Sequence, residues 1–154
     1  MLKARGVFGD FQRVCGMLKE ESGKQEYRIL WVAALTLCRA VGHVLDKVDG
    51  KASSEAKKII NDMFAGWKNG DENKIFREFI EKERNLVLKQ YEIGYDDGPL
   101  DIHSCDNVYD IVDVHGCAMA KGEYFGSQSS DILQQAIVWW ETQLDEIERR
   151  IEGN

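Results

Sequence analysis

The chain has 154 residues, 44% hydrophobic and 31% charged, with 27 acidic against 20 basic side chains and a formal net charge of -7. That length suits a single domain over 1–154 with a sizeable core. The acidic balance makes the surface as a whole repel phosphate backbones, so nucleic-acid binding requires a local basic groove.

Pro99 is the single proline, and long proline-free stretches rich in Glu, Lys, Leu and Ala favour helices. Four cysteines, Cys15, Cys38, Cys105 and Cys117, form no C-x-x-C pair, so disulfides are not implied and a reducing cytoplasm is the expected compartment. The stretch from Met1 to Phe8 lacks the sustained apolar core of a secretory signal. The most apolar run, Ile29 to Leu37, is too short to span a bilayer and is followed by Arg39 and His43, so no membrane association is expected. No P-loop, G-x-G-x-x-G or G-x-S-x-G pattern occurs, which excludes the NTPases, dinucleotide enzymes and serine hydrolases built on those motifs; no cofactor is expected.

In chain order, spacings alternating between four and three residues predict five helices. The first carries Val7, Phe11, Val14 and Leu18. The second has a seam of Leu30, Ala34, Leu37, Val41, Val44 and Val48, widened by Tyr27, Trp31, Leu35, Cys38 and Leu45, and reads as the central helix. A glycine stop at Lys47-Val48-Asp49-Gly50 closes it, and Ser53-Ser54 opens a third with Ala56, Ile60, Met63 and Trp67. Asn69-Gly70-Asp71 ends that helix and caps a fourth, with Phe76, Ile80, Glu83 and Val87 in register. After Ser129-Ser130-Asp131 the last helix places Leu133, Ile137, Trp140, Leu144, Ile147 and Ile151 on one face. The predicted fold is all-α, an up-and-down bundle of four to five helices.

Between the last two helices, residues 93–128 form an irregular insertion. Helical periodicity stops there and Gly94, Gly98, Pro99, Gly116, Gly122 and Gly126 accumulate. Between Lys89 and Lys121 there is no Lys or Arg, while Asp96, Asp97, Asp101, Asp106, Asp110 and Asp113 lie inside, so the segment is acidic. Val108 to Val114 is the place for a short strand. A connection this long in a compact domain is usually functional or mobile.

The fourth helix holds the most pointed chemistry, Glu83-Arg84-Asn85 with Lys89 and Tyr91 beyond it. Apolar residues one turn away on both sides aim Glu83 at the core, where a buried carboxylate calls for a cation such as Arg39. The run from Arg84 to Tyr91 resembles the R-N-x-x-x-H-x-Y signature of HEPN proteins, helical bundles that include metal-independent ribonucleases. Arg84, Asn85 and Tyr91 match, and Lys89 stands in place of the histidine. The resemblance implies that Arg84 contacts a scissile phosphate and Asn85 positions it, with the pair repeated across a homodimer. A lysine, with an ordinary pKa of about 10, holds a phosphate by charge but is a poor general base. Binding rather than cleavage is therefore expected.

Arg39 and His43, one turn apart on the second helix, could complete a polar cleft with Glu83 and Arg84 and supply the missing imidazole; a solvated helix face is the simpler reading. His103-Ser104-Cys105 and His115-Gly116-Cys117 repeat an H-x-C unit able to converge on zinc, but the spacing is not that of a standard finger and no metal is expected. In Trp139-Trp140, Trp140 fits the core seam and Trp139 projects to one side. The function expected is that of a HEPN-like protein of degenerate active site, binding RNA or protein in a defence or toxin-antitoxin setting. The competing reading is a non-enzymatic interaction or inhibitor protein whose acidic insertion engages a basic partner.

Overall fold

A computed structural model describes residues 1–96 and 117–153. Among the described residues the chain folds as an all-α bundle: α1 (Ala4–Glu20), α2 (Lys24–Lys47), α3 (Ser54–Gly66), α4 (Glu81–Gln90) and α5 (Ser129–Glu152). A π turn over Phe76–Ile80 runs directly into α4. A two-stranded antiparallel ribbon, β1 (Tyr95–Asp96) and β2 (Ala118–Met119), pairs Tyr95 with Met119 between α4 and α5. The segment expected to form a strand, Val108 to Val114, lies outside the described residues.

The core differs from the expected seams by a small rotation. In α2, Trp31, Ala34, Cys38, Val41 and Leu45 are wholly buried, whereas Leu30, Leu37 and Val44 are half-buried and Val48 is 42% exposed. The residues read as widening the stripe are its centre, because a broad apolar face fits two registers and the bulky Trp31 takes the deepest position. In α1, Phe8 and Cys15 replace Val7 and Val14 beside Phe11 and Leu18. Burial pushes the Cys15 thiol up to about 12 and raises that of Cys38 as well, so both behave as small apolar residues. With the turn that follows it, α2 is long and apolar enough to cross a membrane by length and composition, a longer apolar stretch than Ile29 to Leu37. Its buried row faces the rest of the bundle.

The loop between α3 and the π turn is more built than a cap. Gly70 takes a positive φ of 80°, and Asp71–Asn73 form a 3-10 turn rather than the start of α4. Asn73 points inward, donating to the Asn69 carbonyl at 2.9 Å and the Gly66 carbonyl at 3.3 Å, and accepting the Trp139 indole N–H at 3.1 Å. With that hydrogen bond and with Trp67, Phe76 and Trp140 packed around it, Trp139 is core, at 7% exposure, as an aromatic flanking a core seam often is. Phe64, Trp67, Phe76, Trp139 and Trp140 form one aromatic cluster, with Phe76 stacked on Trp139 at 5.2 Å and Trp67 edge-on to Trp140 at 5.4 Å. A Cβ on Gly42 of α2 would stand 3.1 Å from the tip of the Trp140 ring of α5, so glycine leaves room for that indole. At the opposite end, Asp49 accepts the Lys3 and Ala4 backbone N–H groups at 2.8 and 3.0 Å, capping α1 from the α2–α3 connection.

Candidate functional site

Consecutive residues on a helix point about 100° apart, so Glu83, Arg84 and Asn85 do not share one face. Glu83 turns toward the insertion. It is 8% exposed, its Oε2 meets no hydrogen-bond donor among the described residues, and its carboxylate lies against Gly94, where a Cβ would collide with it. Burial raises the Glu83 pKa, and the charge of Lys121 opposes that rise.

The expected buried ion pair is therefore absent among the described residues, and this corrects the sequence reading. Arg39 stands on the other side of α4, its guanidinium 6.0 Å from the centre of the Phe76 ring. Lys82 is taken by Glu78, one turn earlier, and Lys121 lies 3.5 Å from Glu92. Apolar neighbours predicted Glu83's burial correctly but said nothing about which helix face meets a cation.

Arg84 turns toward α2. Thr36, Arg39, Ala40 and His43 from α2 and Arg84 and Leu88 from α4 line a groove of about 270 Å³. The structure thus brings Arg84 together with Arg39 and His43 and leaves Glu83 out. Two guanidiniums and an imidazole share this groove, and among the described residues no carboxylate lines it. Asp46, the nearest acid along α2, is paired with Lys47 at 2.7 Å, which holds its carboxyl below the usual range, with a smaller contribution from His43. Half-buried Asn85 accepts a hydrogen bond from Arg84 Nη1 at 2.8 Å and so fixes the guanidinium. Such an arrangement can hold an anion by charge and by the planar fork of arginine.

Lys89 and Tyr91 are exposed and do not line the groove. Tyr91 ends α4 in the left-handed conformation, φ 52°, with its N–H bonded to the Val87 carbonyl at 2.9 Å and 66% of its surface exposed. His103, Cys105 and His115 lie outside the described residues. Cys117 is half-buried beside β2, and among the described residues no group of His, Cys, Asp and Glu is placed to hold a metal ion.

Ala40 and Leu88 were missed by sequence reasoning, whereas Thr36 lies on the polar face expected to hold Arg39 and His43. The signal existed: Thr36, Arg39, Ala40 and His43 follow the three-four spacing of one helix face, and Leu88 is one turn from Arg84. Gly94 as the neighbour of Glu83 carried no such signal, because the contact joins a helix to an irregular segment. No protein-family model, curated protein or solved structure matches this chain.

Proposed function

We propose that the protein is a HEPN-like RNA-binding protein of degenerate active site, whose groove between α2 and α4 grips the phosphate backbone of single-stranded RNA. The observation that carries this reading is the convergence of Arg39, His43 and Arg84 in one groove that, among the described residues, no carboxylate lines. In a chain of net charge -7, a cationic groove is the local basic feature that phosphate binding requires. The Asn85 contact supports it further, since a guanidinium held in place loses less freedom when it binds phosphate. Arg84 and Arg39 hold phosphate oxygens, and His43 donates to a neighbouring oxygen. Lys89, which stands where the family pattern has its histidine, lies outside the groove, and His43, the imidazole inside it, serves to hold phosphate rather than to drive turnover. The resemblance implies a homodimer, in which two such grooves bind one strand.

Fluorescence anisotropy of a labelled single-stranded RNA, titrated at several salt concentrations, tests this. Binding is expected in the range of non-specific complexes, about 10⁻⁴ to 10⁻⁶ M, and to weaken steeply with salt. Arg84→Ala and Arg39→Ala should each weaken it and each reduce the log–log salt slope by about 0.7. Folded variants that bind RNA as the parent does would overturn the reading. Capture of a basic protein through the acidic insertion would then favour the interaction-protein alternative.

A further inference from the structure

On the far side of α4 from the groove, a second cleft of about 270 Å³ opens between that helix and the turn after β2. Phe79 and Leu86 from the helical segment, Met119 from β2 and Tyr124 from the turn supply its apolar surface, and Glu78, Lys82, Glu83, Lys121 and Glu123 bring charge to it. Glu83 differs from the other charges: it is a buried carboxylate whose Oε2 has no hydrogen-bond partner among the described residues and whose side chain packs against Gly94. The other charges at the cleft are already engaged. Lys82 pairs with Glu78, Lys121 lies 3.5 Å from Glu92, and Glu123 pairs with Lys74 at 2.7 Å. Glu83 is thus the ionisable group at the cleft without a direct ion-pair partner among the described residues.

The geometry points to a binding site for a small organic ammonium ion with an apolar body. A buried carboxylate without a partner is expensive to maintain unless something completes it. A protonated amine supplies both the missing charge and the missing donors, and its hydrocarbon portion meets Phe79, Leu86, Met119 and Tyr124. An apolar cavity of about 150 Å³ already accepts benzene in another protein, so this cleft has room for an arylalkylamine. The lining disfavours the opposite sign: Glu78, Glu83 and Glu123 outnumber Lys82 and Lys121, and both lysines are already engaged by glutamates. Burial raises the Glu83 pKa for want of such a partner, which a bound ammonium would reverse.

This site is independent of the RNA groove, so each can fail without the other. The test uses the full chain with benzylamine and its neutral analogue benzyl alcohol, titrated near neutral pH and followed by calorimetry and by NMR shifts at Met119 and Tyr124. Saturable benzylamine binding is expected, at least about 10-fold tighter than benzyl alcohol, with the preference lost in Glu83→Gln. The amine-to-alcohol comparison on the unmodified protein decides the matter even if the variant folds poorly. Equal binding of the two probes would reduce the cleft to an apolar cavity and overturn the proposal. So would no binding of either, or a benzylamine preference that survives in folded Glu83→Gln.

Discussion

Replacing Glu83 by Gln should make the protein relatively more stable as pH rises, the reverse of what a buried ion pair would give. In the native state the carboxyl is 8% exposed, Oε2 is unpartnered, and burial raises its pKa above the ordinary 4.5. An acid whose pKa is higher folded than unfolded contributes its full stability below the unfolded value and loses it as pH rises through the folded pKa. Glutamine does not titrate. The stability difference, variant minus parent, should be flat at acid pH, climb in the variant's favour from about 4.5 upward, and level off above the folded pKa. The height of the step follows from the orphaned oxygen: a buried polar group left unsatisfied costs about 1–3 kcal/mol. Solvent at the cleft mouth and the charge of Lys121 pull the value toward the lower end. Paired urea denaturations of both proteins from about pH 4 to about pH 8 measure the difference directly, and all other titrating groups cancel. A difference with the opposite slope would refute the reasoning, because it is the signature of a carboxylate paired with a cation.

Other outcomes follow from single contacts. Asp49→Ala removes the acceptor of the Lys3 and Ala4 N–H groups, and should cost about 2–4 kcal/mol by chemical denaturation; Asp46→Ala, at the exposed pair with Lys47, should cost under about 1 kcal/mol. Trp139→Ala empties part of the aromatic cluster and strands Asn73 Oδ1, so a loss of about 3–5 kcal/mol and a Tm lower by roughly 10 °C are expected by calorimetry. Gly94→Ala drives a methyl group into the Glu83 carboxylate and should destabilise; combined with Glu83→Ala, the two should be less than additive by about 0.5 kcal/mol or more in a double-mutant cycle.

The bundle was legible because its signals are local. Ala56, Ile60, Met63 and Trp67 in α3, and Leu133 through Ile147 in α5, are buried as their spacing requires, and Ser53 caps α3 by accepting the Ala56 N–H at 3.0 Å. The centre of the α2 stripe was not legible, because several apolar rows lie side by side and neighbouring helices choose among them. The site was half-legible for the same reason. Periodicity placed Glu83 inside and set Arg39 and His43 on one face of α2, but pairing between helices is a tertiary fact. Arg84 rather than Glu83 meets Arg39 and His43 because α4 presents that face to α2. The Glu83 contact with Gly94 depends on where an irregular segment returns to the bundle, and no periodicity encodes that. Periodicity set Trp139 beside the core seam but could not show its hydrogen bond to Asn73, which comes from a different loop.

The central claim is that RNA is held in the groove between α2 and α4. An NMR titration of the protein with a short single-stranded oligoribonucleotide, observing arginine side-chain and histidine ring signals, tests it most directly. The account predicts salt-sensitive shifts at Arg39, His43 and Arg84, smaller ones at Thr36 and Leu88, and little change at Lys58 on the exposed side of α3. Shifts that bypass these three residues, or no shifts at concentrations well above about 10⁻⁴ M, would contradict it.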